Sequence, residues 1–199
     1  MKPSELQKKE FRRSIDEIHP FGYQCWSEIE PLLYLKELDK NDFFSKVGDA
    51  TRDLGFISSG ILRIYYLDEK GREWNKHFLQ ENDFVASSIS PDKNSITNIQ
   101  ALTKSTILCI SYFELKRLAS KCNEINLFIQ KLTFSYLEQK QFREIGLLSE
   151  EAMNNYLAFR KIYAKLEDEI PHYHIASYLG ITPTQLSRLR KKIGTHQHM

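Results

Sequence analysis

Apolar positions along the chain follow three successive patterns. From Ser4 to Ile18 (SELQKKEFRRSIDEI) a few apolar residues sit among charges at helical spacing, and His19-Pro20 ends the run, which predicts a polar amphipathic helix. Ser27 to Leu38 predicts a second short helix with Pro31 in its first turn. From about Leu38 to Ile110 the period shortens. FISSGILRIYYLDEKGREWNKHFL and SITNIQALTKSTILCIS carry β-branched and aromatic residues in short runs. Gly48-Asp49, Ser59-Gly60 and the Asp68–Gly71 stretch (DEKG) lie between the runs as turn signals. Short strands punctuated in this way predict a small antiparallel barrel or roll. The glycines are assigned a backbone role, for positive φ or close approach, and no chemistry.

After Ser111 helical spacing returns. Tyr112 to Ser120 predicts a short helix and Glu124 to about Leu148 a long one. On the long helix Ile125, Phe128, Leu132, Ser135, Gln139 and Phe142 recur at threes and fours, a stripe suited either to a coiled-coil seam or to packing on the chain's own sheet. Phe134, Leu137, Ile145 and Leu148 form a second apolar flank, so the helix has faces for both a partner and its own domain. Ser149-Glu150-Glu151 predicts the start of another helix, with Ser149 as cap, running through NNYLAFRKIYAKL, and Pro171 starts the next element.

The segment from His172 to Lys191, HYHIASYLGITPTQLSRLRK, carries the clearest motif. Ile175, Ala176 and Leu179 fall on one face of a short helix, and Gly180 sits where a tight interhelical turn wants no Cβ. Thr182 is placed to cap a second helix, with Pro183 at its first position. Leu186, Leu189 and Ile193 make its buried stripe, leaving Thr184, Gln185, Ser187, Arg188, Lys191 and Lys192 outward. The small Ala176 suits two helices crossing closely, as in a helix-turn-helix. Arg, Gln and hydroxyl side chains are the groups that hydrogen-bond base edges in the major groove.

Charge sharpens that reading. The net charge is only +2, but from Pro171 to Gly194 the charged residues are Arg188, Arg190, Lys191 and Lys192, with no acid among them. A near-neutral chain with one basic end implies a local anionic partner. The remaining composition, 41% hydrophobic and 27% charged with twelve Phe, ten Tyr and two Trp, supports a real core and excludes disorder over most of the length. Cys25, Cys109 and Cys122 are few, odd in number and widely spaced, which predicts neither a disulfide framework nor a zinc site. No apolar run is long enough for a membrane span, and residues 1–20 are too charged for a signal peptide, so a cytoplasmic location is expected. A metal-dependent enzyme on the roll would need two or three His with a carboxylate, and the roll segment offers only His77. No catalytic residues are assigned.

The stretch IPHYHIASYLGITPTQLSRLRKKI resembles the DNA-binding end of the Crp/Fnr regulator family, in particular its cyclic-nucleotide-regulator-like members from Bacteroidetes. GILRIYYLDEKGREW and HFLQENDFVAS resemble the β-roll of that family, and SYFELKRLASKCNEI the helices leaving it, so the resemblance spans nearly the whole chain. It implies an α+β fold: an antiparallel β-roll (a double-stranded β-helix of the cyclic-nucleotide-binding kind), a long dimerisation helix and a C-terminal helix-turn-helix. The expected domains are 1–148, sensory roll with long helix, and 149–199, DNA-binding. By position Pro183, Thr184 and Arg188 match the family's base-approaching residues. Arg188 keeps the basic type, whereas Pro183 and Thr184 stand where an Arg and a Glu are usual, so the operator should differ from the familiar one. The expected DNA-binding set is Thr182, Thr184, Gln185, Ser187 and Arg188, with Arg190, Lys191 and Lys192 on phosphates. The few residues after the second helix cannot form the β-wing that often follows, and the tail THQHM is expected to be disordered, its His196 and His198 an incomplete metal site.

In the family's nucleotide-binding members a Glu bonds the ribose and an Arg the cyclic phosphate. The corresponding stretch is DFVASSISPDKNSITNIQA, where Ala86, Ser87 and Ser88 take the Gly-Glu-Leu place and Ser95-Ile96 the Arg-Ser place. Both charged residues are missing, so cyclic AMP is not expected and no cofactor is assigned. A different small-molecule effector would meet Ala86, Ser87, Ser88, Ser95 and Thr97. The resemblance further implies a homodimer on double-stranded DNA, RNA polymerase as a partner, and no membrane. The alternative is a small-molecule-sensing or protein-interaction module whose helix-turn-helix does not read DNA sequence.

Overall fold

Strand side chains alternate between faces, so a sheet buried on both sides must be apolar at consecutive positions. The computed structural model, which describes residues 1–50, 52–88, 93–149 and 151–196, shows that arrangement. Its strands are β1 (Tyr34–Leu38), β2 (Phe43–Ser45), β3 (Asp53–Ser59), β4 (Leu62–Leu67), β5 (Glu73–Leu79), β6 (Phe84–Ala86), β7 (Asn98–Ala101) and β8 (Ser105–Ser111). They form two four-stranded sheets, ordered β1-β8-β3-β6 and β2-β7-β4-β5. The pairs β1–β8, β3–β8, β3–β6, β2–β7 and β4–β7 are antiparallel. This is the predicted roll.

The first sheet carries two cores. Ile57 of β3 and Ile107 and Cys109 of β8 point inward to meet Phe44, Leu62, Val85 and Ile99. Their neighbours Leu54, Phe56, Leu108 and Ile110 point outward, under the helices α1 (Glu5–Ile18), α2 (Tyr23–Ile29), α3 (Tyr112–Ala119) and the start of α4 (Asn123–Ser149). The expected turn at Ser59-Gly60 is real. Gly60 has φ +98°, and a Cβ there would meet the Lys104 carbonyl oxygen at 2.6 Å.

α1 starts at a capping box, as Gln7 N–H donates to Ser4 Oγ (3.3 Å) and Ser4 N–H to Gln7 Oε1 (2.9 Å). The second helix lies earlier than predicted. It ends at Ile29, Pro31 falls in a 3-10 turn (Glu30–Leu32), and Tyr34–Leu38 is strand rather than helix. Pairing with Cys109–Ser105 and burial of Leu38 override local helix preference there.

On α4 only the start of the first stripe is buried, and its later member Phe142 is exposed along with the second flank. Ile125 and Phe128 are buried with Phe21, Leu115 and Leu118, and Leu132 packs partly against them. Phe134, Leu137, Phe142, Ile145 and Leu148 stay exposed, Phe142 at 75% and Leu148 at 82%. Ser149 is the last residue of α4 rather than the cap of the next helix, and α5 (Ala152–Ile162) begins after Glu151 with no side-chain cap. Then come α6 (Leu166–Glu169), α7 (His172–Leu179) and α8 (Pro183–His196). α8 takes in Thr195 and His196, which were expected in a disordered tail. Gln197, His198 and Met199 lie outside the described residues.

The chain divides into two compact units. One comprises Met1–Tyr65 and Phe78–Tyr136, the other Tyr66–His77 and Leu137–Met199. In the first, Cys25 and Cys122 are joined as a disulfide, where their spacing predicted none. Residues 97 apart are brought together by α2 packing beside the α3–α4 turn, which linear spacing does not encode. Among the described residues no helix is long and apolar enough to cross a membrane.

Candidate nucleic-acid interface

α7 buries His174, Ile175, Ala176, Tyr178 and Leu179. Ala176 is 1% exposed. Gly180 follows at φ +68°, ψ 23°, the left-handed conformation that ends a helix at low cost for glycine. Ile181 N–H then donates to Ala176 O (3.0 Å), closing the turn. Thr182 caps α8 as predicted: Gln185 N–H donates to Thr182 Oγ1 (3.2 Å). Leu186 is buried at 1%, and Leu189 and Ile193 are half-buried.

Of the residues expected to meet DNA, Thr184, Ser187, Arg188, Lys191 and Lys192 lie exposed on α8. Gln185 is also exposed, but its Oε1 accepts from Thr182 N–H (2.8 Å) and from the Thr182 hydroxyl (3.0 Å). Its carbonyl is therefore committed to a reciprocal capping box, which leaves the amide NH2 as its group for an outside partner. Arg190 is likewise engaged. Its Nε lies 2.8 Å from Glu167, whose carboxylate also pairs with Arg160 (3.1 Å) and accepts the Tyr156 hydroxyl. Arg190 thus braces α8 against α6, and its charge is partly neutralised by Glu167. Sequence reasoning missed this partnership because Glu167 and Arg190 belong to different elements.

Behind this face, in the same unit, lies a buried polar knot. Asn75 of β5 donates from Nδ2 to the His174 carbonyl oxygen (3.0 Å) and reaches His174 Nδ1 (3.2 Å). Asn75 N–H donates to Ser177 Oγ (3.0 Å), and that hydroxyl donates to Glu73 O (3.0 Å). Arg143 donates to Tyr178 O (2.7 Å) and stacks over the Tyr178 ring at 4.4 Å. The Tyr163 hydroxyl is 3.2 Å from His77 Nδ1. Burial, reinforced by Arg143 and Lys76, pushes the His77 imidazole down to about 4. No linear pattern marks Asn75 or His77, which read as ordinary strand residues.

The effector residues are less convergent. Ser87 lines a polar cleft of about 350 Å³ with Lys36, Phe44, Ser45, Asp49, Arg52 and Asp53, among others. Ser45 Oγ is buried without a hydrogen-bond partner among the described residues. Ala86, Ser88, Ser95 and Thr97 do not line that cleft. Ala86 pairs with Leu54 across β3–β6, and the Ser95 hydroxyl donates to Thr97 O (2.6 Å), closing its own turn. Lys36 and Arg52, which no sequence motif marks, supply the cleft's cations from strand β1 and the residue before β3.

Residues 35–122 match the cyclic nucleotide-binding domain family. No curated protein matches the sequence. Among solved structures, FixK2 from Bradyrhizobium japonicum superposes with a TM-score of 0.74 at 17% identity, over 83% of this chain and 86% of that one. A transcriptional regulator of the Crp/Fnr family from Eubacterium rectale gives 0.70 at 18% identity, over 88% and 85%. The c-di-GMP responsive global regulator CLP from Xanthomonas campestris gives 0.69 at 14% identity, over 88% and 93%. Residues 35–122 are thus similar to the cyclic nucleotide-binding domain family, and the chain shares the fold of solved Crp/Fnr-type transcription regulators.

Proposed function

We propose that the protein is a sequence-specific transcription regulator, a cytoplasmic homodimer that binds a pseudo-palindromic operator through α8 and acts by binding rather than catalysis. The observation that carries this reading is the outer face of α8. Thr184, Ser187, Arg188, Lys191 and Lys192 are all exposed on one capped helix, behind a left-handed Gly180 turn, with Leu186 anchoring the opposite face. Arg188 is the base reader, since a guanidinium matches guanine bidentately. Lys191 and Lys192 serve phosphates, which raise affinity without selecting sequence. Thr182, Gln185 and Arg190 act indirectly, by fixing the start and tilt of the helix.

The exposed flank of α4 supports the dimer. Phe134, Leu137, Phe142, Ile145 and Leu148 offer a second copy the apolar face that the chain's own core leaves uncovered. Cyclic AMP is not the effector in this reading, because Ser87 and Ser95 stand where the ribose acceptor and phosphate cation would be needed. Any effector would enter the cleft beside Ser87, and RNA polymerase is the partner through which operator binding would act.

Selection of a random double-stranded DNA pool on the purified protein at physiological salt tests the proposal. An enriched palindrome, its half-sites about one helical turn apart (~34 Å), is expected. Retention of DNA that is weak, salt-sensitive and enriches no sequence would remove the sequence-reading role.

A further inference from the structure

Cys25 and Cys122 come from distant parts of the sequence and meet in the helical layer over the first sheet of the roll unit. Cys25 sits on α2, 5% exposed, in the core that also holds Phe21, Ile29, Leu118 and Phe128. Cys122 is half-buried and immediately precedes α4. The disulfide between them therefore ties the N-terminal helices to the root of the long helix. A third group completes the site. Glu124 Oε2 lies 3.0 Å from Cys122 Sγ, and its Oε1 accepts Gly22 N–H at 3.0 Å, just ahead of α2.

From this arrangement we infer that Cys25 and Cys122 are a redox-active thiol pair that exchanges with low-molecular-weight disulfides. The same packing satisfies both oxidation states. As a disulfide the two sulfurs are covalently joined and cannot serve as paired thiolate ligands for a metal. When reduced, neither thiol is stranded. Cys122 S–H has the Glu124 carboxylate as acceptor, and Cys25 becomes a small apolar side chain among aromatic and aliphatic neighbours. Glu124 still holds Gly22 N–H in either state, so α2 stays docked while the covalent tie to α4 opens.

The exchange is ordered by access. Cys122, the more exposed residue of the two, loses its thiol proton to solvent, and its Sγ attacks one sulfur of the small disulfide, releasing one small thiol and leaving a mixed disulfide on Cys122. Cys25 Sγ then attacks Cys122 Sγ, and the second small thiol leaves. Two protein thiols are oxidised, one small disulfide is reduced to two thiols, and the two protein protons end on the released thiols. Glu124 is a positioning residue. Its negative charge opposes the thiolate that the helix start would otherwise favour, so it keeps reduced Cys122 protonated and the exchange slow. Cys109 takes no part: it is buried between the sheets, and burial pushes its thiol up to about 12.

The test equilibrates the full-length protein in mixtures of reduced and oxidised glutathione, quenches with acid, alkylates after unfolding and weighs the intact chain. One alkylated cysteine should convert to three in a single two-electron step within the range of these mixtures. The reduced form should melt several degrees lower, because an approximately 97-residue loop is no longer closed. Cys25→Ser should accumulate a glutathione adduct on Cys122, while Cys122→Ser should leave native Cys25 unmodified. In the Cys25→Ser background, Glu124→Gln should shift the alkylation-rate profile of Cys122 to lower pH. A pair that stays oxidised in the most reducing mixture is an inert staple, and one that never joins in the most oxidising mixture is two separate thiols. Either result overturns the inference, as does an unshifted alkylation profile for the Glu124 role.

Discussion

Asn75 gives both of its amide hydrogens to His174. A backbone carbonyl can only accept, so the atom 3.0 Å from His174 O must be the Asn75 nitrogen. The same nitrogen faces His174 Nδ1 at 3.2 Å, which fixes Nδ1 as an acceptor and places the neutral ring's proton on Nε2. Both residues are buried, Asn75 at 2% and His174 at 4%. A strand residue thereby dictates the tautomer of the first buried side chain in the helix-turn-helix.

Asn75→Ala would leave the His174 carbonyl and ring nitrogen buried without those donors. A cost of about 1–3 kcal/mol in stability is expected, concentrated in α7. Hydrogen exchange of the α7 amides, with urea melts for the total, measures it. Unchanged exchange there would show that water or another group replaces the asparagine.

His77 makes the same unit acid-sensitive. Its folded pKa, about 4, lies below the ordinary histidine value of 6.5 because burial and the Arg143 and Lys76 charges disfavour the imidazolium. Between those values the unfolded chain binds the proton and the folded one does not, so stability is full above pH 6.5 and falls as pH drops towards 4. The loss is at most about 3 kcal/mol. His77→Gln should flatten thermal stability over that window. An equal slope in wild type and variant would assign the acid sensitivity elsewhere.

Much of this was legible in the residues. The roll, the long helix and the helix-turn-helix follow from a period that shortens after Leu38 and lengthens after Ser111, and from Gly180 and Thr182, whose conformational and capping roles are local chemistry. What the sequence could not supply is which distant groups meet. Gln185 and Arg190 read as DNA contacts because their types and helical phase fit. The structure ties Gln185 to Thr182 in a capping box and Arg190 to Glu167 across elements. Tyr34–Leu38 reads as helix as long as its partner strand is unknown. The Cys25–Cys122 pair and the Lys36–Arg52 cleft depend wholly on tertiary neighbours.

Phe142 is 75% exposed on α4, so replacing it with Glu removes little intrachain packing. If that flank is the dimer seam, Phe142→Glu places like charges opposite each other and deletes an aromatic anchor. The dimer should dissociate about tenfold more readily or worse, read by sedimentation velocity across protein concentration, with the melting temperature of the monomer unchanged. Undiminished dimerisation would move the seam to another surface.

Arg188 and Lys191 separate reading from holding. Both are exposed on α8, three residues apart and close to one face. A bidentate guanidinium contact to guanine disappears in Arg188→Ala, so affinity for the selected operator should fall by about 1–3 kcal/mol. Discrimination should also relax at one base pair of each half-site. Lys191→Ala should instead weaken all sequences alike and reduce the slope of log K against log salt by about one unit per lost phosphate contact. Binding isotherms on the operator and on a scrambled duplex, each at several salt concentrations, distinguish the two. Should Arg188→Ala lower affinity equally on both duplexes, the guanidinium is a phosphate clamp. Sequence would then be read by Thr184, Ser187 and the outward amide of Gln185.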